Sequence, residues 1–241
     1  MSAIRRDDWR GVAIAVTVFV LWAFSLTALL VVPLEGTMWL VAPFAVLWLA
    51  WLFTGLFITA HDAMHGSVAP GRTRLNHAIG TVALLAYAMM DYRALKRAHG
   101  HHHATPAREG DPDWHDGSNP QVMPWFWAFM MRYLTWGQWI RLVFVFWSLY
   151  LIVPTENLLL FWALPSVLST FQLFYFGTYL PHREPEGGHD NEHHARSGRY
   201  GDLVSLVTCF HFGGCHLEHH LEPGLPWWRL PGVRRRRRAA A

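Results

Sequence analysis

The chain has 241 residues, of which 52% are hydrophobic, 15% aromatic and only 15% charged. Soluble domains carry about a quarter charged residues, so this composition excludes an ordinary water-facing surface and points to lipid. The formal net charge of +3 is too mild for a nucleic-acid surface. The cysteines, Cys209 and Cys215, fit neither a zinc ribbon nor a disulfide framework.

Gly11 to Val32 is uncharged and long enough to cross a hydrocarbon core of about 30 Å as a helix. Arg5, Arg6 and Arg10 precede it, as in a signal peptide. The apolar run is too long for an h-region and no small-x-small cleavage site follows, so it reads as a retained span. Met38 to Ala60 is a second run, tolerating Pro43. Ala78 to Met90 is apolar but too short to cross and reads as re-entrant, interfacial or buried. Leu134 to Val153 is weaker, interrupted by Gln138 and by Arg141, which is expected to snorkel to the interface. Leu158 to Leu180, with Pro165, is the last run.

The expectation is an all-α integral membrane protein, a single domain over 1–241, with four transmembrane helices (about 11–32, 38–60, 134–153 and 158–180) and a histidine-rich cap. The turns Pro33 to Thr37 and Pro154 to Asn157 hold no Lys or Arg, whereas all 20 lie in the other segments. By the positive-inside rule both termini and the middle loop are cytoplasmic. The basic tail, 233–241 with Arg234 to Arg238, is read as touching anionic lipid.

All 16 histidines fall on that same side, beginning with His61 just past the second run. Side chains at i and i+4 share a helix face. His61 and His65 have that spacing, and the second span is expected to continue as a helix past the interface to present both. His99, His102 and His103 share a face at i, i+3 and i+4, with His101 pointing away, and His216, His219 and His220 repeat the pattern. One such pair is more often structural, and the run at 99–103 alone is a compositional feature. Three matching clusters on one membrane side read instead as a metal site. Neutral imidazole suits iron, zinc and copper, and this many ligands imply two ions. The near-absence of cysteine disfavours thiolate zinc and iron–sulfur centres. No HExxH or carboxylate-rich di-iron pattern is present.

At these residues the chain resembles the membrane fatty acid desaturase and hydroxylase superfamily, through the boxes beginning at His61, His99 and His216. Within it, the chain is similar to bacterial β-carotene ketolases. That likeness rests on the strings from Phe176 to Arg183, from Phe210 to Cys215 and from Pro226 to Pro231. The resemblance implies a non-haem di-iron centre that activates dioxygen and draws electrons from an external, ferredoxin-like donor. It implies a carotenoid substrate of the β-carotene class, converted at C4 of the β-ionone ring to a ketone (echinenone and canthaxanthin from β-carotene, astaxanthin from zeaxanthin). It also implies a ninth ligand, matched by His182, which follows the last span directly. Four residues earlier some desaturases carry an asparagine, and here the residue is Thr178.

Asp62, Asp111, Asp113 and Glu218 are candidates to hydrogen-bond ligand imidazoles, with His193 and His211 as supporting residues. His77 and His115 read as interfacial or supporting, and His189 and His194 as solvated loop. Arg93, Lys96 and Arg97 could attract an acidic donor, although positive-inside topology accounts for most of that charge. The location expected is the bacterial cytoplasmic membrane. Two other readings stand beside this one. A fatty acyl desaturase or hydroxylase would share the metal site. A membrane metal transporter or sensor would need ionisable residues within the spans, which hold almost none.

Overall fold

A computed structural model describes residues 8–115, 117 and 119–240. Arg5, Arg6 and Ala241 lie outside the described residues. Among the described residues the secondary structure is entirely helical. The helices are α1 (Arg10–Val31), α2 (Met38–Met64), α3 (Thr73–Ala88), α4 (Tyr92–Ala104), α5 (Val122–Tyr133), α6 (Trp136–Tyr150), α7 (Thr155–His182), α8 (Asp202–Cys209), α9 (His216–Leu221) and α10 (Leu230–Ala240).

Three of these, α1, α2 and α7, are long and apolar enough to cross a membrane. Their outer faces leave large apolar side chains uncovered, such as Phe24, Leu40 and Phe44 at 73–74% exposure. A surface of that kind is stable against lipid rather than water. Inside, α1 and α2 pack through Leu26, Leu30, Val46 and Leu49 onto Leu158 and Phe161 of α7. A second core beside it joins Phe53 and Leu56 of α2 to Leu84 and Tyr87 of α3 and Tyr92 and Leu95 of α4. Asn157, in the first turn of α7, donates to the carbonyls of Leu29 and Val32 at 2.8 Å and so caps the open C-terminus of α1.

The run expected as a span over 134–153 differs from the other three. Its helix, α6, has 15 residues, about 22 Å at 1.5 Å per residue, short of a full crossing. Thr135 starts it afresh by accepting from the Gln138 amide at 3.2 Å. The Arg141 guanidinium donates to the Met89 carbonyl at 2.8 and 3.1 Å, beside Gln138 on the Ala88 carbonyl at 2.9 Å. These two side chains satisfy the last carbonyls of α3, the short apolar segment of the sequence, which lies folded against α2. Helix α5 has no counterpart in the sequence reading.

Helix α7 contains two π-turns, Leu159–Ala163 and Tyr175–Tyr179. Each ends two residues before a proline, Pro165 or Pro181. A proline lacks the amide hydrogen and its ring collides with the carbonyl four residues back, here Phe161 and Gly177. Widening that turn accommodates the collision without ending the helix. The second π-turn ends three residues before His182 and sets how that imidazole leaves the helix.

The basic tail forms the helix α10, which packs on the protein through Leu230, Val233 and Arg234 and leaves Arg235 to Arg238 exposed. Arg234 is buried and donates to the Gly214 carbonyl at 2.7 Å and to Asp202. Arg237 donates to Glu218 at 2.6 Å.

Candidate metal centre

The three boxes arrive on separate helices. His61 lies in the last turn of α2 and His65 is its C-cap, so the helix does continue past residue 60, with the two rings 4.8 Å apart. Asp91 accepts the Ala94 amide at 2.6 Å and starts α4, which turns His99, His102 and His103 inward and leaves His101 exposed. His216, His219 and His220 are buried along α9.

The approach to α9 explains the string from Phe210 to Cys215. Phe210 and His211 take left-handed backbone, with φ of 46° and 67°. A Cβ on Gly214 would run into the Ser205 side chain, and one on Gly213 would lie 2.7 Å from the Phe176 carbonyl oxygen. Phe212 is thereby wedged with its ring 4.3 Å from that of His61 and 5.0 Å from that of His219.

The nine histidines singled out in the sequence meet in two groups. His61, His65, His99, His103 and His219 form one, and His102, His182, His216 and His220 the other, with all ligand atoms of a group within 4.8 Å of one another. In the first group Nε2 of His99 lies 2.7 Å from that of His65 and 3.1 Å from that of His103, which is 3.0 Å from His219. In the second, His182 to His216 is 2.8 Å, His216 to His220 3.1 Å and His220 to His102 3.3 Å, again between Nε2 atoms. Nitrogens about 2.1 Å from a shared ion and at right angles to each other are about 3 Å apart.

Hydrogen bonds on the far side of two rings fix their tautomers. Nδ1 of His102 faces the Asp111 carboxylate at 3.0 and 3.1 Å. Nδ1 of His182 faces the His194 carbonyl at 2.9 Å. Both partners only accept, so each Nδ1 carries the hydrogen and each Nε2 turns a lone pair into the second group. Nε2 of His61, whose Nδ1 lies 3.4 Å from Asp62, is buried without a hydrogen-bond partner among the described residues. Converging lone pairs and an orphaned buried nitrogen fit a cation.

Burial also keeps most of these rings neutral, the form that binds metal. It lowers His65 to about 4, His216 to about 3 and His103 to about 2, and holds His99, His219 and His220 well below the ordinary value. His102 is the exception: burial opposes its charge, but the carboxylates of Asp113 and Asp111 raise it.

The supporting residues separate. Asp111 is closer to His102 than Asp113, whose Oδ2 lies 3.6 Å away while its Oδ1 accepts from Tyr133. Asp62 also accepts the Trp227 amide at 3.0 Å and so ties the first box to the Pro226–Pro231 string. Glu218 does not engage a ligand imidazole; it accepts from Ser197 and Arg237 and anchors α9 from behind. His211 lies against Trp227, with ring centroids 5.8 Å apart, rather than against a ligand. His193 stands beside His220, 5.7 Å between rings. His77 packs on Tyr92 and His115 on Trp125, outside both groups. The His194 carbonyl was not foreseen, because a main-chain acceptor leaves no mark in residue identity.

A cavity of about 330 Å³ runs from His61, His99, His102 and His216, past Thr178, to Trp139 and Val167 on the apolar exterior. Trp139 and Val167 are 50% and 61% exposed, so the cavity opens between α6 and α7. Its wall is largely apolar and aromatic, including Phe57, Leu173 and Phe212, which suits a ligand held by shape.

The fold and this arrangement of histidines define a helical membrane protein of the histidine-box type. The chain belongs to the fatty acid desaturase family, whose model (Fatty acid desaturase) matches residues 37–144 and 127–241. Within it the chain is similar to a β-carotene ketolase of Paracoccus sp., 45% identical over 188 residues, covering 77% of this chain and 76% of the relative. It is also similar to a zeaxanthin 4-ketolase of Chlamydomonas reinhardtii, 41% identical over 252 residues (98% of this chain, 56% of the relative). A β-carotene ketolase of Haematococcus lacustris is 43% identical over 196 residues (78% and 60%).

Proposed function

We propose that the protein is a carotenoid 4-ketolase, an oxidoreductase that converts the C4 methylene of a β-ionone ring to a ketone. The carrying observation is the convergence of the His102 and His182 lone pairs, within a five-plus-four histidine set, at the inner end of an apolar cavity. Identity of 45% to a β-carotene ketolase supports the same substrate class. β-Carotene would yield echinenone and then canthaxanthin, and zeaxanthin would yield astaxanthin.

His61, His65, His99, His103 and His219 would hold one iron, and His102, His182, His216 and His220 the other. When bound, the two irons supply the activation of dioxygen. The chain's own residues orient and insulate. Asp111 and the His194 carbonyl keep two ligand rings in the metal-binding tautomer. Phe212 closes the inner end of the cavity against His61 and His219. The apolar wall seats the ring by shape and excludes water. Each hydroxylation consumes one dioxygen, two electrons and two protons and releases one water. Two at one carbon give a geminal diol, which loses water to leave the ketone.

The chain would sit in the bacterial cytoplasmic membrane with the histidines on the cytoplasmic side. Two hairpins, α1 with α2 and α6 with α7, would make four membrane-embedded helices. The absence of Lys and Arg from both hairpin turns supports that orientation. Electrons would come from a ferredoxin-like protein.

The test is expression in a bacterial host that accumulates β-carotene, with chromatography of the pigments. Keto products, missing from a His219→Ala control, are expected. Unchanged β-carotene, with the protein in the membrane and its iron loaded, would reject carotenoid ketolation and turn the search to acyl lipids.

A further inference from the structure

A second concavity, about 410 Å³, lies on the outer side of His182 and is lined by Arg183, Arg196, Arg199, Tyr200, Leu180 and Ser197, among others. No carboxylate lines it. No described carboxylate pairs with these guanidiniums. Among the described residues the Arg196 guanidinium donates only through Nε, to the Leu180 carbonyl at 3.0 Å, Arg183 lies over the Tyr179 ring at 5.8 Å, and none of Arg183, Arg196 and Arg199 has an ion pair. The nearby carboxylate of Glu184 turns the other way, approaching Gly188 and acting on His189. Burial and then repulsion from Arg183 lower the Arg196 guanidinium, as expected of like charges gathered without a counter-ion. Three guanidiniums gathered around one hollow with no carboxylate in its lining are the chemistry of a phosphate site.

Two further observations place the hollow at a lipid boundary. Arg183 is the first residue after α7, a helix long and apolar enough to cross a membrane. On the other rim, α8 begins two residues after Tyr200 and leaves Leu203, Val204 and Val207 at 74, 49 and 57% exposure along one face. A short helix with such a face lies in the interface plane with its apolar side in the acyl region. We infer that the groove formed by Arg183, Arg196 and Arg199 seats the phosphate headgroup of an anionic phospholipid, with α8 resting in the same leaflet. This rests on the membrane reading of α7 but not on the catalytic one. The site would tie lipid to the loop that presents His194 to His182.

The test uses the full-length protein in nanodiscs of phosphatidylcholine containing phosphatidylglycerol, with retained lipid read by native mass spectrometry. Among the described residues the guanidiniums of Arg183 and Arg199 donate no hydrogen bond, so Arg183→Gln/Arg199→Gln removes charge at the cost of only the Arg183–Tyr179 ring contact at 5.8 Å. Wild type is expected to keep phosphatidylglycerol, the double variant to lose retention at least tenfold, and Arg183→Lys/Arg199→Lys to recover part of it. Arg93→Gln/Lys96→Gln, which removes equal charge elsewhere, should retain lipid as wild type does. Equal retention by the Arg183/Arg199 variant, or equal loss by the Arg93/Lys96 variant, would overturn the inference. So would a thermal shift from millimolar inorganic phosphate in pure phosphatidylcholine that matches the phosphatidylglycerol effect. A raised KM for a ferredoxin donor with lipid retention unchanged would assign the groove to the reductant and likewise overturn it.

Discussion

The Asp111 carboxylate holds Nδ1 of His102 at 3.0 Å, from a position nine residues downstream and fully inside the protein. Asp111 is itself fixed by the amides of Ala107 at 2.7 Å and Asp113 at 2.8 Å. It therefore fixes the direction of the His102 lone pair. Asp111→Asn keeps the shape but frees the imidazole to take either tautomer. A 10- to 100-fold loss of iron affinity at the second group is expected, measured as metal content after challenge with a graded chelator. Asp113→Asn should have the smaller effect, since its oxygen is 3.6 Å away.

Gly214 is required by the Ser205 side chain, into which any Cβ would run. Gly214→Ala should destabilise the fold by about 1–3 kcal/mol, in the range of overpacking, read as a lowered Tm in detergent. Ser205→Gly in the same chain removes the obstacle and should restore much of the loss. No recovery would mean that Arg234, 3.1 Å from the same added carbon, is the limiting neighbour.

The apolar cavity makes a prediction that separates substrate from metal. Ser166 lines it within α7, next to Val167 at its mouth. Ser166→Trp should fill the passage. Carotenoid turnover is expected to fall by at least tenfold while iron content, assayed on the same preparation, stays at the wild-type level. Loss of both together would show that the substitution disturbs the fold instead.

Metal-free protein should weaken in acid. His65 is lowered by burial from 6.5 to about 4. Between those values the unfolded chain takes up a proton that the folded chain refuses, so stability falls as pH drops through that window and is flat above it. His103 and His216, also lowered by burial, extend the loss below pH 4. Thermal unfolding of the chelator-treated protein at pH 7.5, 5.5 and 4.5 checks the sign. A Tm that rises with acid would contradict the buried, neutral state of these rings.

Much of this protein was determined by local sequence. Charge-free runs dictate apolar helices, because a backbone in lipid must satisfy its own hydrogen bonds. The spacing of His99, His102 and His103, and of His216, His219 and His220, places each trio on one face through helix geometry alone. What only the tertiary structure decided depends on segments distant in the chain. His102 and His220, 118 residues apart, join one group, while their neighbours His103 and His219 join the other; adjacent residues on a helix point about 100° apart, and nothing local says which direction meets which partner. Glu218 looked like a partner for an imidazole and turned to Arg237, because a helix lies behind α9 that a run of arginines does not announce. The π-turns of α7 needed only their prolines to be suspected, yet where they aim His182 follows from the packing around it. Residue spacing encodes faces, and packing assigns each face its partner.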